Sequence, residues 1–183
     1  ALSPKLNSKL NYPYLLLLIS GGHSQYLSVK NLGQYKRLGT TIDDAIGEAF
    51  DKTAKLLGID FPGGPQIEIL AKKGNPDKYN LPKPIFNKGG CNLSFAGLKT
   101  AILKITKEIK TDQEKFDIAA SFQRTINEIL YKKTKIAFGQ YEKQIKPKEK
   151  KFVVAGGVAA NKEIRNVLIY LCKEKIITQF FHL

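Results

Sequence analysis

The stretch LLLLISGGHSQYLSV, residues 15 to 29, decides how the fold is read. Five apolar residues, Leu15 to Ile19, run into Ser20, Gly21, Gly22 and His23, and an apolar/polar alternation then resumes. A short apolar run bounded by glycines reads as a strand buried on both faces, and the alternation reads as a half-buried strand. Residues 14–19 and 24–30 are therefore predicted to form two strands joined by a Ser-Gly-Gly turn. The paired glycines have two uses. They can simply make a hairpin, or their successive N–H groups can form a nest that an anion approaches because no side chain intervenes.

The segment QYKRLG (34–39) adds a third short strand. In TIDDAIGEAFDKTAKLLG, apolar positions from Ile42 through Ile46 and Phe50 to Leu57 recur at helical spacing. Thr41 with Asp44 is predicted as its capping box and Gly58 as its stop. DFPGGPQ (60–66) reads as a turn, with Pro65 opening a short helix that runs to about Lys73. Residues 74–92, with Pro76, Pro82, Pro84 and Gly89-Gly90, read as an irregular surface loop. Helices over Phe95–Ile109 and Gln113–Tyr141 follow, the second with Asp112 as a cap. A basic connector then leads to a strand that runs into Gly156-Gly157 and a helix that begins near Asn161. A strand hairpin (14–30), a helical insert (about 42–142) and a strand-Gly-Gly-helix unit (151–173) predict an α/β class with a mixed sheet and flanking helices.

At 183 residues with 43% apolar composition, the chain suits one domain or one lobe of a larger protein. Its longest apolar run is far too short to span a bilayer, and the N-terminal segment has no signal-peptide core, so a soluble, cytoplasmic protein is expected. Cys91 and Cys172 are distant in sequence and have no histidine cluster nearby. That argues for a reducing compartment and against a zinc site built by this chain alone. The two histidines, His23 and His182, make no metal motif either. A net charge of +14 points to an acidic partner, RNA foremost. The alternative is a lysine-biased composition, because arginine, the residue of bidentate contacts, stands only at 37, 124 and 165. The chain has no methionine, which leaves open both a processed start at Ala1 and a fragment of a longer protein.

Three features bear on chemistry. The first is the pair Gly21-Gly22. The second is VVAGGVAAN (153–161), where Gly156 and Gly157 between a strand and a helix let a nucleotide lie against the backbone, and where Asn161 is either a nucleotide contact or only an N-cap. The third is a helix face carrying Asp44, Glu48, Asp51 and Lys55. Its carboxylates could hold ribose hydroxyls or a magnesium ion, or they are simply solvated. Together with PGGP at 62–65, these features describe a nucleotide cleft of the actin/hexokinase/Hsp70-like (ASKHA) plan.

LLISGGHSQ, IDDAIGEAFDKTAKLLGIDFPGGP, LSFAGLKTA and VVAGGVAANKEIR closely resemble segments of the bacterial TsaD family, whose older name is O-sialoglycoprotein endopeptidase-like or glycoprotease. The resemblance runs over roughly residues 13 to 173 and implies the second lobe of an ASKHA fold. It also implies a tRNA N6-adenosine threonylcarbamoyltransferase, which moves threonylcarbamoyl from threonylcarbamoyl-AMP onto adenosine 37 of tRNAs that read codons starting with A. By the same resemblance, Leu18, Ile19, Ser20, Gly21 and Gly22 match the hairpin facing the carbonyl and phosphate of the adenylate. Asp51 matches a ribose contact, Gly64 a glycine lining the nucleotide, and Asn161 an asparagine near the adenosine. Gly156, Gly157 and Glu48 are secondary positions. The implied ligand is threonylcarbamoyl-AMP or an adenine nucleotide, and the implied partners are tRNA and accessory proteins of the pathway. Self-association through an exposed lobe surface is a further expectation, and no membrane partner is expected.

The family also carries one divalent metal, iron or zinc, on two histidines of an H-x-x-x-H motif and a distant aspartate. Those ligands are expected outside this chain, and the ending KEKIITQFFHL reads as unlike the family's continuation. The sequence is accordingly read as an enzyme fragment whose first lobe is absent and whose isolated activity is not expected. The competing readings are a non-catalytic RNA- or partner-binding module and the remnant of a split gene.

Overall fold

The structure, a computed structural model, describes residues 10–182; the lysine-bearing segment 1–9, read above for a signal-peptide core, lies outside the described residues. Three strands open the chain: β1 (Tyr14–Ile19), β2 (Ser24–Asn31) and β3 (Gln34–Thr40). Four helices follow: α1 (Ile46–Leu56), α2 (Gly63–Ala71), α3 (Ala96–Thr106) and α4 (Asp112–Ile145). The chain then forms β4 (Lys151–Ala155), a 3-10 turn (Gly157–Ala160), α5 (Lys162–Lys175) and β5 (Thr178–His182). The sheet order is β3-β2-β1-β4-β5. β1 runs antiparallel to β2, and β2 antiparallel to β3. β1 runs parallel to β4, and β4 parallel to β5. This is the mixed sheet with flanking helices that the sequence pattern implies.

β1 reads as continuously apolar because both of its faces are covered. Leu15, Leu17 and Ile19 join the main core with Phe152 and Val154 of β4, and α1, α4 and α5 pack over that face. Tyr14 and Leu16 point the other way, into a smaller cluster with Leu27, Val29, Val153 and Ala155. Burying each such side chain stabilises the fold by about 1.5–3 kcal/mol. At 34 residues, α4 is the longest element and extends about 50 Å. It buries Ile118, Phe122, Ile126, Ile129 and Phe138 against the sheet and α1, and the Tyr26 hydroxyl pairs with Thr134 Oγ1 at 2.8 Å to tie β2 to it. No helix among the described residues is long and apolar enough to cross a membrane.

Several local expectations need correction. The helix predicted from Ile42 begins at Ile46, so Asp44 precedes it. Thr41 and Asp44 do not form its capping box: the Thr41 hydroxyl donates to the Asp44 carbonyl at 2.6 Å. The cap comes from β2 instead, where Ser24 Oγ accepts the Ile46 N–H at 2.9 Å; Glu48 reaches back to the Ala45 N–H at 3.4 Å. A hydroxyl 22 positions away outcompetes the local signal because the β1–β2 hairpin lies against the helix start. α2 opens at Gly63, two residues before Pro65, and Thr111 rather than Asp112 caps α4 through a reciprocal pair with Glu114. The C-terminal tail extends the sheet. It forms β5, with Phe181 packed on the main core beneath the Arg165 guanidinium at 5.1 Å and Phe180 packed on the second cluster. The 74–92 loop is irregular as expected, yet it buries Leu81 and Cys91. Both cysteines are buried thiols; desolvation pushes Cys91 up to about 11 and Cys172 up to about 12.

Candidate functional site

β1 and β4 are parallel neighbours, but the chain leaves them in opposite directions: from β1 to β2 on one side, from β4 through α5 to β5 on the other. Such a reversal opens a crevice outside the carboxyl ends of the strands. A cleft of about 590 Å³ lies there, and it gathers Gly21, Asp51, Gly64, Gly157 and Asn161 from four separate segments. Phe50, Phe61, Pro62, Pro65 and Val158 give it apolar walls.

The glycine pairs are asymmetric. At Gly63 a Cβ would lie 2.4 Å from Ala54 Cβ, and at Gly156, with φ +104°, it would lie 2.3 Å from the Ile19 carbonyl oxygen. Packing alone compels these two. Their successors are open: the nearest atom to a Cβ at Gly64 is 4.0 Å away, and nothing lies within 4 Å at Gly157. One glycine of each pair thus lets the chain close up, and the other leaves backbone bare toward the cleft. Gly21 and Gly22 are likewise open. Their turn is closed by the Ser20 N–H donating to the His23 carbonyl at 2.8 Å and the His23 N–H donating to Ser20 Oγ at 3.0 Å. The tight approach comes from the facing helix: Gly47 N–H donates to the Ser20 carbonyl at 3.2 Å, and a Cβ there would meet Gly21 Cα at 2.8 Å. Sequence reading missed Gly47, although a glycine in the first turn of a helix, where it costs about 1 kcal/mol against alanine, was a usable signal.

Asp51 Oδ1 accepts the Gly63 N–H at 2.9 Å and so fixes the start of α2. Its other oxygen has no hydrogen-bond partner among the described residues. Asn161 is the N-cap of α5: Oδ1 accepts the Ile164 N–H at 2.9 Å, while Nδ2 donates to Gln123 Oε1 at 2.9 Å. The side chain is therefore both a cap and a fixed, 8% exposed part of the cleft wall. Glu68, also missed in the sequence, faces the cleft from α2 and accepts the Lys162 N–H at 3.1 Å, which links α2 to the start of α5.

The remaining candidates are placed differently. Leu18 and Ile19 belong to β1, where Ile19 is core and Leu18 packs on the second cluster; Ser20 and Gly22 form the turn. None of the four lines the cleft, and Gly156 supports it from behind. Glu48 does not line it either. Asp44 and Glu48 share Lys52, at 2.6 and 2.9 Å, and the hydrogen bond from Lys52 holds the Glu48 carboxyl below its usual range. The supposed carboxylate face is thus divided, with Asp44 off the helix, Glu48 on Lys52 and Asp51 turned to α2. A third aspartate, Asp43, accepts the Phe95 N–H at 2.7 Å and the Ser94 hydroxyl, pinning LSFAGLK at the start of α3. Among the described residues, no three His, Cys, Asp or Glu side chains converge as metal ligands.

The cleft lining carries two carboxylates, Asp51 and Glu68, and no lysine or arginine. Negative charge in a ligand would have to be met by bare backbone and by the positive ends of α2 and α5. Such a site suits hydroxyls and a flat apolar ring better than a polyphosphate.

Fold and site together define an α/β lobe that opens its crevice at the ends of parallel strands. The family model for TsaD, tRNA N6-adenosine threonylcarbamoyltransferase, matches residues 1–181, and the chain belongs to that family. It is 76% identical over 181 residues to the tRNA N6-adenosine threonylcarbamoyltransferase of Pelagibacter ubique (strain HTCC1062), covering 99% of this chain and 51% of the relative. It is 55% identical over 171 residues to the protein of that name from Rickettsia rickettsii (strain Sheila Smith), covering 92% and 50%. The chain thus spans about half the length of the curated relatives it matches. The family match includes most of the tail that was read from the sequence as unlike the family. Among solved structures, the activator of 2-hydroxyisocaproyl-CoA dehydratase from Clostridium difficile with bound ADPNP gives a TM-score of 0.46 at 14% identity, covering 94% of this chain and 55% of that one. Component A of the Acidaminococcus fermentans (R)-2-hydroxyglutaryl-CoA dehydratase gives 0.44 at 16% identity, covering 92% and 55%.

Proposed function

We propose that this chain forms the adenylate-binding lobe of a transferase that moves threonylcarbamoyl from threonylcarbamoyl-AMP to N6 of adenosine 37 in tRNAs reading codons that start with A. The observation that carries the reading is the convergence of Gly21, Asp51, Gly64, Gly157 and Asn161 on one cleft at the strand reversal. In this reading the free oxygen of Asp51 accepts a ribose hydroxyl. The adenine lies on bare backbone at Gly64 and Gly157 beside Asn161. The mixed anhydride reaches toward Gly21, whose open backbone receives the phosphate or the carbonyl. The absence of a lysine or arginine from the lining favours an adenylate with one phosphate over a triphosphate.

The reaction is acyl transfer: the N6 amine attacks the carbamoyl carbonyl, the bond from that carbon to the phosphate oxygen breaks, AMP leaves with the electron pair, and the proton lost by the amine passes to the departing phosphate or to solvent. The lobe's part is to hold the donor rigidly, which makes positioning the main source of rate enhancement supplied here. The family's metal needs two histidines and an aspartate together, and the described residues do not fit that set, so no step is assigned through it. The 183-residue chain by itself is expected to bind adenylate without transferring the acyl group. Calorimetric titration with AMP and a non-hydrolysable threonylcarbamoyl-AMP analogue tests the reading. Asp51→Asn keeps an acceptor for the Gly63 N–H but removes the charge, and is expected to weaken both ligands about tenfold, or about 1.4 kcal/mol. Equal affinities in parent and variant would remove Asp51 from the site.

A further inference from the structure

The cleft has a larger neighbour. A groove of about 1150 Å³ runs along α4 and α5 and under the proline-rich loop that precedes α3. α2 borders both hollows, with Glu68 in the cleft and Ala71 and Lys72 in the groove. Gln123 lines the groove and Asn161 lines the cleft, so their 2.9 Å hydrogen bond is the wall between them.

The charge of the groove is lopsided. Lys72, Lys83, Arg124, Lys132 and Lys135 stand against Glu128 and Glu163. Glu128 is used by Lys83 and Arg124. Among the described residues, Lys72, Lys132 and Lys135 have no carboxylate within ion-pair distance. The lysines lie beside aromatic rings: Lys132 Nζ is 4.1 Å and Lys83 Nζ 5.6 Å from the Phe86 centroid, and Lys135 Nζ is 6.0 Å from that of Tyr131. Tyr131 is held in place by donating to Glu174 Oε2 at 2.7 Å, and its ring centroid lies 6.5 Å from that of Tyr170, which is 60% exposed.

We infer that this groove binds the unpaired nucleotides flanking the target adenosine. The inference rests on the proposed function, because it takes the bound RNA to be the acceptor of that transfer. An exposed aromatic face beside cations, as at Tyr170, is what single-stranded nucleic acid uses: a base stacks on the ring and phosphates follow the charges. The target base must leave its stack to meet the donor at the mouth of the cleft, so its unpaired neighbours need a binding surface on the outside of the lobe. The groove shares a wall with the cleft and supplies the cations that the cleft lining lacks.

Fluorescence anisotropy of the 183-residue chain with an anticodon stem-loop RNA carrying adenosine 37, read at several salt concentrations beside an AMP titration, tests this. Tyr170→Ala is expected to weaken RNA binding about 5- to 100-fold, the loss of one stacked base. Lys135→Gln is expected to lower the slope of log K against log salt by about 0.7, one phosphate contact to a single strand. Both side chains are exposed, and AMP affinity is expected to stay at the parent value in both variants. RNA binding that neither variant changes, or no RNA binding by the parent at low salt, would overturn the inference; an acidic helical peptide bound at Tyr170 in place of RNA would reassign the groove to a protein partner. Loss of AMP binding by the parent would instead strike the cleft reading, so the two failures are told apart.

Discussion

The cleft and the groove share a wall but are built from different materials. The cleft is a backbone site: its shape comes from glycines at strand ends and at the start of α2, two of them compelled because a Cβ would lie 2.4 or 2.3 Å from a neighbour, and its polar side chains are themselves hydrogen-bonded into place. The groove is a side-chain site, with rings and lysines projecting from α4, α5 and a loop. A backbone site is rigid and intolerant, suited to fixing a small donor. A side-chain site can lose single members gradually, as suits a flexible polymer. The comparison teaches that substitution size matters in the first region, whereas charge and aromaticity matter in the second.

The sharpest way to break the comparison is within one kind of residue. Gly156→Ala places a Cβ against the Ile19 carbonyl at a φ that alanine disfavours, and is expected to cost about 3 kcal/mol or more in urea unfolding. Gly64→Ala meets open space in a helix, so its stability is expected to equal or exceed the parent's by up to about 1 kcal/mol, while AMP binding falls. If both glycines proved equally tolerant of alanine in stability, the division between packing and cleft-facing glycines would be wrong.

The loop over the groove depends on one buried cation. Lys133 is 1% exposed, and its Nζ donates to the carbonyls of Ile85, Lys88 and Gly90 at 2.7, 3.0 and 3.3 Å. Lys133→Met is expected to cost about 2–4 kcal/mol and to free the 85–90 segment to faster amide exchange. Unchanged exchange there would mean that the proline-rich backbone alone holds the groove open.

Alkaline pH offers a smaller test. Burial raises Cys172, on α5, to about 12 in the folded state, above its ordinary value of 9.0. A raised pKa gives stability that is complete below pH 9 and is lost as pH rises toward 12. Across pH 8 to 11, Cys172→Ala is expected to reduce the parent's loss of stability by about 1–2 kcal/mol. Cys91, raised to about 11 by burial, acts in the same direction over a narrower window.

Much of the fold was legible because its signals are local. A two-sided buried strand must be apolar throughout, as Leu15 to Ile19 are, and a helix face must repeat at its own period, as Ile46, Ala49, Phe50 and Thr53 do. The errors fell where a distant group replaced a local one. Ser24, not Thr41 with Asp44, capped α1 from across the hairpin, and Lys52 drew Asp44 and Glu48 away from Asp51. In the site, Gly64, Gly157, Asp51 and Asn161 could be singled out as residue types; Gly47 was visible only as a glycine inside a helix, and Glu68 not at all, because its role depends on what faces it.

By itself, the sequence determined the element types, the mixed α/β class, the family resemblance and the basic charge, because each is carried by composition, periodicity or a contiguous motif. Only the tertiary structure decided that the tail completes the sheet as β5, and that Asp44, Glu48 and Asp51 serve different partners. It alone decided which glycine of each pair faces open space, and that α4, α5 and a distant loop enclose a cationic aromatic groove beside the cleft. The reason is physical: these outcomes depend on which residues far apart in the chain come within a few ångströms, and that is settled by strand order and helix packing rather than by any local pattern.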